Sequence, residues 1–135
     1  GNKMSKSRGN TIELGMTADE TAKLLKRAVT DSDRHITYDP VNRPEVSNLV
    51  NIAAMCLDRT PEDVAEEIGD GGGGGLKKLA TAAVNDHFAA HRARRAELMA
   101  DPGALRDVLR AGNERANAVA EATLAEVRQA MSMDY

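Results

Sequence analysis

Apolar residues recur every three or four positions along much of this sequence, the spacing that places them on one face of an α-helix. The first run continues to about Val29 and follows Thr17-Ala18-Asp19-Glu20, which has a threonine and a glutamate at the positions of a capping box. A second run begins at Pro44, which suits the first turn of a helix, and continues to about Leu57. Residues 60–68, which begin Thr-Pro-Glu-Asp, predict a third, short helix.

Glycine and proline divide the second half of the chain. The run Gly71–Gly75 is expected to form a flexible turn, since glycine loses the most conformational entropy when it is ordered. Residues 76–100 then predict one long helix, and Asp101-Pro102 has the sequence of the next helix start. Gly112 is expected to end or interrupt that helix, and residues 116–131 predict a last one.

The predicted fold class is all-α, a helical bundle. Only residues 34–39 could form a short strand, within a polar stretch to residue 43 that has the composition of a loop. Aromatic residues make up 2% of the 135 residues, so Leu, Val, Ile, Met and Ala must fill the core. Such a core suits helix-on-helix packing better than a β-sandwich.

Charge is distributed unevenly along the chain. The net charge of −3 excludes a globally basic nucleic-acid binder. Residues 1–30 hold six basic and three acidic side chains, whereas residues 31–75 hold three and ten, and the remainder nine and eight. A polyanion could contact the ends while the acidic middle stays away from it, or the helix faces could simply differ in charge. Both interpretations stay open at this point.

Several classes of site are disfavoured by composition. The single cysteine, Cys56, excludes an internal disulfide and a site built on several cysteines, and we expect a packed thiol. His87 and His91 have a spacing that zinc ligands can use, but no third ligand stands nearby, so no metal site is expected. No apolar run approaches the ~18 residues of a membrane span, and no leader of charged and then apolar residues opens the chain.

The candidate chemistry is concentrated at the start of the chain. The segment Lys3-Met4-Ser5-Lys6-Ser7 offers two ammonium groups and two hydroxyls, which are donors that suit a polyphosphate. On charge alone, a solvated tail is the better interpretation. The run Gly71–Gly75 is a poor phosphate loop, because that pattern needs Gly-Lys adjacent after a strand and Leu76 separates the glycines from Lys77.

Two basic patches could contact the phosphates of a nucleic acid. Lys23, Lys26 and Arg27 share one face of the first predicted helix, and the segment 91–95 holds one histidine and three arginines. In both places a solvated face with nearby carboxylates as partners is an open alternative.

The order and spacing of several segments resemble tryptophanyl-tRNA synthetases, a family of class I aminoacyl-tRNA synthetases. Lys3–Ser7 matches the KMSKS signature loop of that class at all five positions. The other matching segments are Asn10-x-Ile12-x-Leu14, Ala28–Ser32 (AVTDS), Val46–Leu49 (VSNL), the glycine-rich turn before Leu76-Lys77, and Gly112–Ala116 (GNERA). The AVTDS and VSNL segments favour the tryptophanyl over the tyrosyl enzymes. The resemblance covers nearly the whole chain.

The resemblance implies the C-terminal part of a synthetase. Residues 1–16 would be the KMSKS loop and connector of a catalytic α/β nucleotide-binding domain that is missing here, and residues 17–135 a helical anticodon-binding domain. The His-Ile-Gly-His-like motif of that α/β domain is absent, since the His35-Ile36 pair is followed by Thr37-Tyr38.

The resemblance also implies roles for individual residues. The ATP phosphates would contact the signature loop, namely Lys3, Met4, Ser5, Lys6 and Ser7. Lys6 would be the catalytic residue that stabilises the transition state. The candidate tRNA contacts are Lys23, Lys26, Arg27, Lys77, Arg92 and Arg95.

The implied activity of the intact protein is ATP-dependent joining of tryptophan to its tRNA. ATP with Mg²⁺, tryptophan and tRNA would be its partners, and the enzyme would be a cytoplasmic homodimer without a membrane contact. This chain alone is expected to be inactive. Two alternatives stay open, a free-standing tRNA-binding or regulatory module without catalysis and a structural fragment with no role of its own.

Overall fold

The computed structural model describes residues 5–133, and within that range it contains six α-helices and no β-strand. The all-α fold class is confirmed for these residues. The helices are α1 (Ala18–Lys26), α2 (Pro44–Leu57), α3 (Pro61–Ile68), α4 (Gly72–His87), α5 (Ala89–Ala100) and α6 (Pro102–Ala130).

Polar caps start α1, α3 and α6 where the sequence predicts those helices to begin. Thr17 Oγ1 accepts a hydrogen bond from Glu20 N at 3.2 Å, and Glu20 Oε2 accepts one from Thr17 N at 2.8 Å, which completes a capping box. The bond from Thr17 N, together with a second bond that the Thr17 hydroxyl donates to Glu20 Oε2 at 2.9 Å, lowers the pKa of the Glu20 carboxyl. Thr60 at α3 and Asp101 at α6 likewise accept from the backbone N–H three residues on.

The chain divides into two compact units, one that ends at Ala93 and one that begins at Arg94. In the first unit α2 and α4 form the main helix pair, with α1 packed against α4 and α3 against α2. Aliphatic side chains fill their shared core, as the composition predicts. Its most buried members include Ile36, Val46, Val50, Val64, Leu76 and Val84.

The second unit consists of the end of α5 and the whole of α6. Two of its arginines form ion pairs with acids three residues away, Arg94 with Glu97 at 2.9 Å and Arg110 with Asp107 at 3.1 Å. All four side chains are well exposed, so these pairs contribute little to stability.

The glycine tract forms the first turn of α4, so the prediction of a flexible turn is wrong. A 3-10 turn at Gly69–Gly71 leads into Gly72, whose φ of +65° is one that other residues rarely adopt. A Cβ on Gly72 would lie 3.7 Å from Arg34 O, and one on Gly73 would lie 2.6 Å from Thr30 Oγ1. The loop after α1 therefore crosses directly over the start of α4. Packing at this crossing offsets the entropy lost when glycine is ordered.

The single helix predicted for residues 76–100 is two helices, because the chain breaks at Phe88. Its backbone, at φ −91° and ψ 3°, departs from helical values. Its side chain packs against the core of the first unit, while Asn85 O in the last turn of α4 accepts a hydrogen bond from Arg92 at 3.4 Å. These two contacts redirect the chain between α4 and α5.

Two further predicted helix boundaries are wrong. The first helix ends at Lys26 instead of Val29, because the amides of Arg27 and Ala28 bond to carbonyls three residues back and tighten the last turn. Gly112 neither ends nor interrupts α6, which continues from Pro102 to Ala130. A glycine inside a helix costs only about 1 kcal/mol relative to alanine, and most residues within one turn of Gly112, such as Ala111, Glu114 and Arg115, are good helix formers.

Residues 34–39 form an irregular loop rather than the short strand considered above. Ile36 N donates to Gly69 O at 2.8 Å, and the Arg43 guanidinium donates to His35 O at 2.7 Å. These partners satisfy the Ile36 N–H and the His35 carbonyl without a neighbouring strand. Because Ile36 is buried, the loop is anchored in the core.

Candidate functional site

The described part of the signature loop, Ser5 to Ser7, is shaped by a 3-10 turn at Lys6–Arg8. Gly9 closes the turn through its N–H with a φ of +64°, which glycine adopts without strain. Asn10 Oδ1 accepts a hydrogen bond from Ser5 N at 2.9 Å, which ties the loop to the residues after it. In this turn the hydroxyls of Ser5 and Ser7 form a hydrogen bond with each other at 3.3 Å, in which either can be the donor.

The Lys6 side chain points into solvent, with 84% of its surface exposed. Its Nζ lies 3.7 Å from Glu13 Oε2, on the connector that leads from the loop to α1. An exposed ion pair at this distance is weak, so a polyphosphate can compete with Glu13 for the ammonium group. Lys3 and Met4, the other two predicted ATP contacts of the motif, lie outside the described residues.

Arg92 uses its guanidinium inside the protein. Its Nε donates to Met16 O at 2.9 Å, one Nη to Thr21 Oγ1 at 3.0 Å and the other Nη to Asn85 Oδ1 at 2.9 Å. Arg92 thus joins α5 to the connector, to α1 and to α4. Its contact with tRNA stays a prediction, and it would have to be made by donors that are already engaged.

A groove of about 540 Å³ between α1 and α4 brings two predicted tRNA contacts together. Lys26 of α1 and Lys77 of α4 both line it, and Lys78, which the sequence did not single out, lines it as well. Its remaining lining residues are small or hydroxylated, namely Ala22, Gly74, Thr81 and Ala82. Three lysines among small side chains form a surface on which an extended polyanion could lie.

The other predicted tRNA contacts do not line this lysine groove. Lys23 is exposed on α1, and Arg27 lines a separate groove of about 440 Å³ together with Asn10 and Asn48. Arg95 is exposed in the second unit.

The histidine pair and the cysteine have ordinary surroundings. His87 and His91 contact the Phe88 ring in T-shaped arrangements, with ring centroids 5.0 and 6.2 Å away. Between residues 5 and 133, no three side chains of His, Cys, Asp or Glu are grouped so that they could hold a metal ion. Cys56 packs against the core, and burial raises the pKa of its thiol. None of the helices in that range has the length and apolarity that crossing a bilayer requires.

Sequence reasoning missed three residues that shape these sites. Asn10 follows a glycine, and a Gly-Asn pair is a turn signal that could have indicated its contact with Ser5. For Glu13 and Lys78 the sequence offers no local signal except charge. In the folded chain Glu13 lies beside Lys6, and Lys78 lines the lysine groove.

The curated relatives are tryptophan–tRNA ligases. The ligase of Thermosynechococcus vestitus is 40% identical over 131 residues, which are 95% of this chain and 40% of the relative. Tryptophan–tRNA ligase 1 of Streptomyces coelicolor is 40% identical over 115 residues, 85% of this chain and 34% of the relative. The Mycobacterium leprae ligase is 38% identical over 128 residues, 93% of this chain and 37% of the relative. The chain therefore spans two fifths or less of the length of these relatives.

A family model agrees with these relatives. The model described as "tRNA synthetases class I (W and Y)" matches residues 1–89, and this range includes the signature loop, the connector and α1 to α4. Since that match covers more than half of the sequence, the chain belongs to the class I tRNA synthetases of the tryptophan and tyrosine group, as its resemblance predicts.

Proposed function

We propose that this chain contributes two parts of a tryptophan–tRNA ligase, a loop that contacts the phosphates of ATP and a helical surface that contacts tRNA. Residues 1–16 form the loop and connector of the catalytic domain, and residues 17–135 the tRNA-binding region. The observation that carries the first part is the geometry of the signature turn. Two hydroxyls 3.3 Å apart stand beside an ammonium group that is 84% exposed.

This geometry suits the first step of the reaction. Tryptophan is joined to ATP as an adenylate and pyrophosphate leaves, so negative charge builds up on phosphate oxygens. The Ser5 and Ser7 hydroxyls can donate to those oxygens, and the Lys6 ammonium can stabilise the charge as it develops. The activated tryptophan is then transferred to tRNA.

ATP is a substrate in this proposal, and Mg²⁺ enters with it. Mg²⁺ is usually held by substrate phosphates and one or two carboxylates rather than by an all-protein cage. The signature turn offers ammonium and hydroxyl groups, which suit the phosphates and not the metal ion. We therefore assign no residue of this chain to Mg²⁺.

Tryptophan-dependent pyrophosphate exchange tests the function. The assay compares this chain alone with a joined protein, in which the chain replaces the matching region of the Thermosynechococcus vestitus ligase behind that enzyme's own catalytic part. We expect no exchange from the chain alone and clear exchange from the joined protein. Exchange by the chain alone would show that it is catalytically self-sufficient. A joined protein that folds and binds tryptophan without exchanging pyrophosphate would contradict the role of the loop.

The second part of the proposal places tRNA phosphates in the lysine groove. Lys26, Lys77 and Lys78 come from two helices but line the same groove, whose volume is about 540 Å³. Phosphate contacts dominate the affinity of proteins for nucleic acids. A backbone of regularly spaced phosphates fits a row of ammonium groups better than a single small anion does.

The salt dependence of tRNA binding tests the groove. Replacing Lys26 or Lys77 with alanine is expected to weaken binding and to reduce the slope of log Kd against log salt by about 1 for each lysine. Arg59→Ala is the control, because Arg59 already pairs with Glu67 in the acidic middle of the chain. Fluorescence anisotropy with tryptophan tRNA, repeated at several salt concentrations, gives the slopes. If the two lysine variants and the control give equal slopes, tRNA phosphates do not bind in the groove.

A further inference from the structure

We propose that Arg92 is a positioning residue for Lys6, and that it acts by fixing the connector from which the signature loop projects. The connector is residues 9–16, which lie between the 3-10 turn and Thr17, the N-cap of α1. The inference rests on the proposed role of Lys6 in binding ATP phosphates. It assigns to α5 a part in the chemistry of a loop that lies more than eighty positions earlier in the sequence.

The contacts of Arg92 converge on the point where the connector enters α1. One donor bonds to the backbone of the connector at Met16 O, and another bonds to Thr21 Oγ1 in the first turns of α1. Thr21 is fully buried and donates in turn to Thr17 O at 3.0 Å. Asn85 completes the junction, because its Nδ2 donates to Ala18 O at 3.3 Å while its Oδ1 accepts from Arg92.

The positive charge of Arg92 is stabilised at this junction by neutral oxygen atoms. Within the described part of the chain, the hydrogen-bond acceptors of its guanidinium are neutral oxygens and include no carboxylate. One of them, Asn85 O, belongs to the last turn of α4, where the helix dipole favours a positive charge. The guanidinium therefore binds main-chain and amide oxygens of three elements at once. A lysine could not do this, since its ammonium is a compact charge without the planar fork.

A short relay links this junction to Lys6. Met16 donates through its N–H to Glu13 O at 3.0 Å, and the Glu13 carboxylate lies 3.7 Å from Lys6 Nζ. Three contacts thus separate the Arg92 guanidinium from the Lys6 ammonium. If Met16 loses its bond to Arg92, the segment that carries Glu13 is no longer held at its α1 end. The loop that carries Lys6 is then held less firmly, both in the resting chain and when ATP phosphates replace Glu13 as the partner of the ammonium group.

Amide hydrogen exchange in the 135-residue chain tests the first half of this inference. Arg92→Gln is expected to speed exchange at the Met16 amide at least tenfold, while the amide of Val50 in the core keeps its rate. Arg94→Gln is the matched control on the same helix, because Arg94 pairs only locally with Glu97. Unchanged exchange at Met16 would show that Arg92 does not hold the connector. Exchange that speeds up equally at both amides would show that Arg92 stabilises the whole fold rather than the connector, and would overturn the inference.

Kinetics of the joined protein test the second half through a double-mutant cycle with Lys6. Arg92→Gln is expected to lower the kcat of pyrophosphate exchange by about 10- to 100-fold, the scale of a small misplacement of a reacting group, with the KM for tryptophan unchanged. In the Lys6→Ala background the same change is expected to cost less than twofold. Arg92→Lys is expected to restore only part of the rate.

The outcomes separate this inference from the proposed function. An equal loss in both backgrounds would show that Arg92 is merely structural and overturn the inference. If Lys6→Ala alone has no effect on kcat, the proposed function of the loop fails, and the link from Arg92 to Lys6 chemistry fails with it. The exchange rate at Met16 would still decide whether Arg92 fixes the connector.

Discussion

Lys6→Ala in the joined protein is expected to lower the kcat of tryptophan-dependent pyrophosphate exchange by about 10²- to 10³-fold, the loss typical when one preorganised charge-stabilising donor is removed. The Lys6 ammonium is exposed, and its weak pair with Glu13 can be replaced by ATP phosphates. Because the charge on the leaving pyrophosphate grows during the reaction, the contact is stronger in the transition state than with bound ATP. We therefore expect kcat to fall more than the KM for ATP rises.

Arg8→Ala is the control for the Lys6 variant. Arg8 is the other basic residue of the same 3-10 turn and is also exposed, but the KMSKS signature ends at Ser7. Its loss is expected to change kcat less than threefold. Stopped-assay measurements of kcat and KM for ATP and tryptophan distinguish the two variants. If Lys6→Ala loses no more activity than Arg8→Ala, Lys6 does not stabilise the transition state.

The predictable part of the fold is the part that local sequence determines. The Thr17 capping box and the prolines at the starts of α2 and α3 predicted those helix starts correctly, because each signal acts within one turn of the chain. The start of α4 was predicted wrongly. Gly73 lies in a helix because Thr30, more than forty positions earlier, crosses over it. No local propensity encodes that crossing.

The same distinction applies to the candidate site. The letters of the KMSKS motif were enough to single out Ser5, Lys6 and Ser7. The partners of Arg92 were not predictable, because Met16 is 76 positions away in the sequence and its backbone oxygen has no sequence signature. As a result, the sequence placed Arg92 among the exposed basic residues. The hydrogen bonds of its guanidinium within a partly buried polar junction became visible only in the folded chain.

Arg43 is a second arginine whose hydrogen bonds join separate parts of the chain, and it holds the loop between α1 and α2. Arg43 binds Asp31 with two parallel hydrogen bonds, Nε to Oδ2 at 2.8 Å and an Nη to Oδ1 at 2.7 Å. Its other Nη donates to His35 O at 2.7 Å and to Thr37 Oγ1 at 2.9 Å. Only 12% of the Arg43 side chain is exposed, so water cannot replace these partners freely. The loop that crosses α4 is therefore fixed at its outer side by one guanidinium.

Arg43→Ala is expected to destabilise the first unit by about 2–4 kcal/mol, because four acceptors lose a charged donor at a largely buried site. A change of this size moves the urea midpoint by about 1–2 M. Urea unfolding followed by circular dichroism at neutral pH measures it. Arg59→Ala is the matched control, since Arg59 also pairs with a carboxylate, that of Glu67, but three times as much of its side chain is exposed. Its midpoint is expected to stay close to that of the unchanged chain.

The stability lost in Arg43→Ala is expected to depend on pH, because Asp31, the partner of Arg43, is a titratable carboxyl. Hydrogen bonds from Arg43 are the main cause that lowers the pKa of the Asp31 carboxyl. A carboxyl whose pKa falls on folding stabilises the fold at pH values above its ordinary pKa, near 4, and this stabilisation is lost as the pH falls through the lowered value. The difference in urea midpoint between the unchanged chain and Arg43→Ala is therefore expected to be constant above about pH 5 and to shrink toward pH 2. A difference that stayed the same at low pH would mean that the neutral acceptors, His35 O and Thr37 Oγ1, carry the whole effect.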